Sequence, residues 1–309
     1  MPKYFMQKIT PHLWFDKQAK EAAAFYVEVF GQGSKVTSVH QLHDTPSGDV
    51  DTVTFNLLGE NFMAISAGPY FKFNPAVSFM VNFDPSRDSG AKERLQAAWE
   101  KLVQGGQVLM ELGRYDFSEL YGWVQDKYGL SWQLILTNPN GEPRPNIMPS
   151  LLFTQSLAGR AEEASEYYLS VFAGKGETRR GALVKYPESN SAEKPGSVMF
   201  TDFELAGKWF VAMDSALGHK FIFNEAVSFM VSCKDQVEID YFWEKLSKDP
   251  KAEQCGWCKD QFGVSWQIVP EAMNEMMGKG TPEQQKRLTE ALLKMKKFDI
   301  QKLEEAFNS

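Results

Sequence analysis

A chain of 309 residues that is 43% hydrophobic and 13% aromatic holds enough apolar material for two globular cores, and its length points the same way. Its net charge of −7 argues against nonspecific nucleic-acid binding, which needs a basic surface to displace counterions. No uninterrupted apolar run approaches the ~18–20 residues that span a bilayer, and three cysteines with no hydrophobic leader at MPKYFMQKIT suggest a reducing cytoplasm.

Taken in order, Ile9–Phe15 reads as a short apolar strand. Ala19–Phe30 reads as a helix, with Ala22, Phe25, Tyr26 and Val29 at helical spacing and Gly31 as its stop. Strands follow at residues 35–42, 51–58 and 61–66, with Gly59-Glu60 marking the last hairpin. The plan then restarts: a strand at 76–83, a helix at 91–103, and strands at 107–113, 122–126 and Ser131–Leu136. The first part of the chain is therefore β-α-β-β-β twice.

The whole unit is then repeated. NPAVSFMV from Asn74 returns as NEAVSFMV from Asn224, and YGWVQDKYGLSWQL from Tyr121 returns as CGWCKDQFGVSWQI from Cys255. More loosely, ITPHLWF from Ile9 returns as IMPSLLF from Ile147. A repeat of about 140 residues is far longer than a solenoid unit, so each copy is expected to have its own core. The expected organisation is a first domain at 1–137, a linker at 138–146, a second domain at 147–270 and a helical extension at 271–309. The linker, TNPNGEPRPN with its preceding threonine, is rich in turn formers and short, which favours packed domains. The second copy is shorter: 25 positions separate Val231 from Gly256, against 41 between Val81 and Gly122. A strand or hairpin matching residues 107–120 is thus expected to be missing.

Cys255 and Cys258 form a C-x-x-C, which can signal a redox dithiol or half a zinc site. Their counterparts are Tyr121 and Val124, so no thiol chemistry is common to both copies. Residues three apart on a strand also point to opposite faces, which favours structural roles. In the tail, Thr281-Pro282-Glu283-Gln284 has the pattern of a capping box, followed by Leu288, Ala291, Leu292 and Met295 as an apolar stripe. Asp299 is placed to cap a last helix carrying Ile300, Leu303 and Phe307. The nearby Lys294, Lys296 and Lys297 read as a solvated face rather than a membrane patch.

Across nearly its whole length the chain resembles PhnB-like proteins of the vicinal oxygen chelate superfamily, in the group carrying the family name 3-demethylubiquinone-9 3-methyltransferase. The resemblance lies in the opening ITPHLWFDKQAKEAAAFY, the central FNEAVSFMV and the closing CGWCKDQFGVSWQIVP. It implies an α+β fold in which paired β-α-β-β-β modules make a curled sheet around a cup. It also implies that the tandem chain carries within itself what single-domain relatives achieve as homodimers. Superfamily enzymes hold a divalent metal in the cup through His and Glu, one ligand being a Glu four residues after the hairpin glycine.

Here Gln133 and Gln267 occupy that place, after Gly129 and Gly263, and the first strands offer His12 in one copy and Ser150 in the other. No cofactor is expected, and a metal is not favoured. His40, His43 and His219 are expected to be structural or solvated. Gly174-Lys175-Gly176 and Gly278-Lys279-Gly280 lack the strand-to-helix context of a nucleotide-binding turn, so the methyltransferase name has no motif behind it. The expected function is binding of a small organic ligand by aromatic and Met walls, with His12, Gln133, Gln267, Trp14 and Arg114 as candidate contacts. A metal-dependent glyoxalase- or dioxygenase-type enzyme and a pure scaffold are the alternatives. The copies are expected to differ, with the first, carrying His12 and a rim from RYDFSELYGW, keeping the working site. The partners expected are a small organic ligand and the chain's own second domain, with further self-association open, and neither nucleic acid nor a membrane.

Overall fold

The computed structural model describes residues 7–45, 48–187 and 192–309. The opening MPKYFM and the side chain of His43 lie outside that description. The first repeat contains β1 (Ile9–Phe15), α1 (Ala19–Phe30), β2 (Lys35–Thr45), β3 (Gly48–Leu57) and β4 (Glu60–Ser66). It continues with β5 (Val77–Phe83), α2 (Ala91–Leu102), β6 (Gln107–Tyr115), β7 (Ser118–Gln125) and β8 (Ser131–Leu136). The second repeat contains β9 (Ile147–Phe153), α3 (Ala161–Phe172), β10 (Arg179–Lys185), β11 (Val198–Leu205) and β12 (Lys208–Asp214). It ends with β13 (Val227–Cys233), α4 (Gln236–Leu246), β14 (Trp257–Lys259) and β15 (Ser265–Pro270). The tail forms α5 (Glu271–Lys279), α6 (Pro282–Leu292) and α7 (Ile300–Asn308).

The expected α+β fold is present, but each sheet draws on both repeats. The first sheet runs β14-β15-β13-β1-β4-β3-β2 and the second β10-β11-β12-β9-β5-β8-β7-β6. The seams are antiparallel, with His12 opposite Ser228 on β1 and β13 and Ser78 opposite Ser150 on β5 and β9. Each cup is therefore shared between repeats.

The aromatic cores, by contrast, stay within each repeat. In the first, Tyr26 on α1 packs 5.1 Å from Trp132, and Phe62 5.1 Å from Phe79. In the second, Tyr168 packs 5.6 Å from Trp266, and Phe210 5.0 Å from Phe229. Period-two alternation explains the division. Leu13, Phe229, Trp132 and Trp266 point to the helices, and their strand neighbours point into a cup. The indoles of these two tryptophans each donate to an aspartate six positions earlier, Trp132 to Asp126 at 2.9 Å and Trp266 to Asp260 at 2.8 Å. The same aspartates accept the turn amides of Tyr128 and Leu130, and of Phe262 and Val264.

At the joint, Glu60 and Lys208 occupy equivalent hairpin positions and pair with each other at 2.5 Å, the lysine being buried. Equivalent positions in two identical chains would carry the same charge, so this ion pair needs the duplication.

The missing strand is also seen. β14 has three residues, and the first sheet has no counterpart to β6. The tail takes that edge: Cys255 N donates to Met295 O at 2.8 Å and Gly256 N to Lys296 O at 2.7 Å. Cys255 sits in the turn with φ +51°, while Cys258 is buried among the helix-side core, so the two thiols diverge as their spacing predicts. Gly256 has φ +80°, and a Cβ there would lie 2.5 Å from Phe298. Its counterpart Gly122 is instead required by Trp99, 2.5 Å from the same point.

Candidate functional site: two cups with one sequence motif

The cup of the first sheet is built around His12. Its ring is buried and lies 5.3 Å edge-on from Trp257, which is 5.8 Å from Trp14. Trp14 is fixed by its indole bond to Gly68 O at 2.8 Å and by edge contacts with Tyr70 and Phe71. Gln267 donates to Ser228 Oγ at 2.9 Å. Burial pushes the His12 pKa down to about 3, so the imidazole is neutral at ordinary pH. Its Nδ1 has no hydrogen-bond partner. Among the described residues, Gln267 Oε1 accepts no bond and the Trp257 indole donates none. None of the cup-facing positions of β1, β4, β13 and β15 is an acid, lysine or arginine; on the β14 edge Lys259 shares the face of Trp257 and pairs with Glu225 at 2.8 Å.

The cup of the second sheet is centred on Gln133, and there both ends of the amide are bonded. Gln133 Nε2 donates to Ser78 Oγ at 2.6 Å and Ser150 Oγ at 3.3 Å, and Oε1 accepts from Tyr121 Oη at 2.8 Å. Trp123, the counterpart of Trp257, donates to Ser131 Oγ at 2.8 Å. The remaining space is occupied by the apolar cluster of Met80, Met148, Trp209 and Val211. The linker closes one end: the Arg144 guanidinium lies 4.0 Å from the Trp209 ring centre and bonds Asp202 at 2.6 Å.

This geometry revises the expected pairing of site residues. His12 and Gln133 belong to one repeat but to different sheets, and His12 shares its cup with Gln267. Each cup is lined by a sheet drawn from both repeats, so no cup belongs to the first copy alone. Trp14 stands on the same face of β1 as His12 and beside Trp257. Arg114 is in neither cup; it borders an outer cleft of about 570 Å³ with Lys92, Tyr115 and Phe117. Tyr115 and Phe117 pack on Tyr121, so the RYDFSELYGW hairpin backs onto the Gln133 cup. Trp257 and Ser228 were not singled out in the sequence. Their signal was present in the register that places Trp257 beside Gln267, as Trp123 beside Gln133. His219 bonds Ser215 at 3.0 Å within a loop, and His40 is exposed.

The metal implied by the resemblance finds no matching donors. The His12 cup offers one imidazole and one amide oxygen, and the Gln133 amide is saturated. Among the described residues no group of three or more His, Cys, Asp or Glu side chains could hold a metal ion. Gly174–Gly176 follows α3 and Gly278–Gly280 ends α5, so neither is a strand-to-helix turn. No helix is long and apolar enough to cross a membrane among the described residues.

The family model for 3-demethylubiquinone-9 3-methyltransferase matches residues 7–135 and again 145–269. A PhnB protein from Bacillus cereus is 38% identical, with 42% of this chain and 100% of that one covered and a TM-score of 0.38. Protein PA1353 from Pseudomonas aeruginosa is 22% identical over 41% of this chain and 94% of that one, with a TM-score of 0.35. Glyoxalase I from Zea mays is 12% identical, with 88% and 97% of the two chains covered and a TM-score of 0.52, a likeness of fold. None of the curated proteins matches the chain.

Proposed function

We propose, for a chain that belongs to the 3-demethylubiquinone-9 3-methyltransferase family and has the tandem vicinal oxygen chelate fold, that the His12 cup binds a small, uncharged, planar organic molecule. The observation that carries this reading is the unpartnered, buried Nδ1 of a neutral His12, in a cup whose counterpart has Ser150 in its place, bonded to Gln133. A buried polar atom without a partner costs about 1–3 kcal/mol, and a ligand that bonds it recovers that cost. Trp14 and Trp257 supply aromatic walls, and Gln267 supplies a free carbonyl oxygen. Apolar walls with a few polar anchors suit a small organic ligand. The central strands carry no charged side chain, and Lys259 on the β14 edge is already paired with Glu225, so an ionic ligand would be desolvated without a free counter-charge. The Gln133 cup is read as structural. Three unpaired cysteines, two of them buried, fit a reducing cytoplasm.

The test uses 2-naphthol and 2-naphthoate, a neutral and an anionic planar probe, titrated against the full chain by tryptophan fluorescence. Saturable binding of 2-naphthol is expected, with 2-naphthoate at least roughly tenfold weaker. His12→Ser and Trp257→Ala should each weaken 2-naphthol binding. Equal affinity for both probes, or binding unaffected by either substitution, would count against the reading. Near-stoichiometric Fe, Mn or Zn in protein purified without chelator would replace it with a metal-dependent enzyme.

A further inference from the structure

α5 begins directly at the end of β15, and the tail folds back over one end of the His12 cup. Val269 and the cup-facing Met230 belong to one apolar cluster with Leu288, Phe298 and Leu303. Met230 is the register partner of Gln267, so this cluster adjoins the polar anchor of the cup. Met273, Met276 and Met277 of α5 pack on the same cluster. Methionine is unbranched and flexible, and such a wall adapts to different shapes.

The tail's hold is thin. Among its described side chains α5 buries none; α6 buries Leu288 and Thr289, and α7 only Leu303. The body helix α1 buries six residues, and so does α3. The ion pairs Lys297–Asp240 and Lys296–Glu253 are largely exposed, where such pairs contribute little. What fixes the tail is the Phe298 ring against Gly256, three bonds beside β14 from the Cys255 and Gly256 amides and the Gln254 side chain, which reaches Leu293 O at 2.8 Å, and the Gln236 amide, which donates to Phe298 O at 3.2 Å and accepts from Ile300 N at 3.0 Å. Elements with few buried apolar contacts open at lower free energy than the core they cover.

We propose that the C-terminal helices are a displaceable wall of the His12 cup, and that ligand reaches His12 and Gln267 when they lift from Met230 and Val269. The gating role rests on the ligand reading above; the lifting of the tail does not. Site-resolved hydrogen exchange on the full chain tests the lifting. The Cys255 and Gly256 amides bond tail carbonyls alone, while the Trp14 amide bonds Ala226 O across the centre of the sheet. The two edge amides should exchange about tenfold faster or more than that of Trp14. Exchange as slow as Trp14 would overturn the proposal whatever happens with ligand.

The second arm is the association rate of 2-naphthol. Phe298→Ala should speed exchange at Cys255 and Gly256, leave the melting of the body unchanged, and raise the association rate several-fold. Gln254→Ala gives the same comparison through the loss of one tail bond, should Phe298→Ala fail to fold. A released tail with an unchanged association rate would overturn the gate. If 2-naphthol binds neither form, the ligand reading fails and the gate with it, and the exchange data show separately whether the tail lifts.

Discussion

The two cups share a fold, a closing motif and a glutamine, yet one glutamine is bonded at both ends and the other at its nitrogen alone. The differences come down to a few side chains. Ser150 stands where His12 does, and accepts from Gln133. Tyr121 stands where Cys255 does, and donates to Gln133. The linker residue Arg144 seals the Gln133 cup over Trp209, whereas the tail methionines border the His12 cup. Duplication lets such differences accumulate, since two positions that would be identical in a homodimer become independent. Glu60 and Lys208 show the same freedom in a structural setting. A repeated motif therefore identifies the scaffold, and the positions where the repeats disagree identify the candidate site.

The largest effect expected is the pH dependence that His12 brings and Ser150 does not. Burial lowers the His12 pKa from 6.5 to about 3. The folded chain thus binds fewer protons than the unfolded chain between those values. The stability from this group is fully present above about pH 6.5 and is lost as pH falls towards 3. At ~1.4 kcal/mol per unit, the full span is worth about 5 kcal/mol, and the part between pH 6.5 and 5 about 2 kcal/mol. Asp260 acts in the opposite sense. Desolvation raises its pKa to about 6, so its contribution is present below about 3.8 and is lost as pH rises through 6. Comparing wild type with His12→Ser by urea denaturation at pH 7 and pH 5 cancels the Asp260 part. The wild type should lose about 2 kcal/mol more than the variant over that interval. Parallel losses would mean that His12 is solvated or partnered, and the contrast between the cups would lapse.

Below that full span of about 5 kcal/mol comes the pair Gln133→Ala and Gln267→Ala. The first leaves Ser78, Ser150 and Tyr121 without their common partner in a filled interior. It should cost about 3 kcal/mol of stability. The second releases one bond, to Ser228, and should cost about 1 kcal/mol. Ligand binding should rank the other way, with 2-naphthol affinity falling about tenfold in Gln267→Ala and unchanged in Gln133→Ala. Equal stability losses with equal binding losses would make the cups equivalent.

Much of this was legible in the sequence, for physical reasons. Strand alternation put Trp132 and Trp266 in the core and the adjacent glutamines in the cups, and it separated Cys255 from Cys258. The shorter second copy announced the missing strand. The exchange of modules between sheets was not legible. The strands that could form the seams carry nearly the same pattern, VSFMV at 77–81 and at 227–231, so alternation cannot say which partner β1 takes. That is why His12 was grouped with Gln133, its neighbour in the chain, and not with Gln267, its neighbour in space. Nor did the tail's apolar stripe show that the connection between α6 and α7 would bond the chain entering β14, because side-chain periodicity does not report where free backbone amides lie. The aspartate–indole bonds were missed for a related reason. Asp126 and Asp260 read as turn residues, which they are, but their second oxygens turn inward to the tryptophans.

The smallest effect expected is the most discriminating. Tyr121→Phe removes one hydroxyl and leaves Gln133 with a free Oε1, the state in which Gln267 is found. Ser78 and Ser150 still hold the amide nitrogen, so the loss should be close to one buried hydrogen bond, about 1 kcal/mol by denaturation. The variant makes the two glutamines alike in bonding but not in surroundings, because Met80, Met148, Trp209 and Val211 still occupy the second cup. If an unspent glutamine is not enough by itself, Tyr121→Phe should bind 2-naphthol with the same stoichiometry and affinity as the wild type. A second equivalent of bound probe would show that the hydroxyl of Tyr121 alone keeps the Gln133 cup closed, and that its apolar filling yields to a ligand once the glutamine is free.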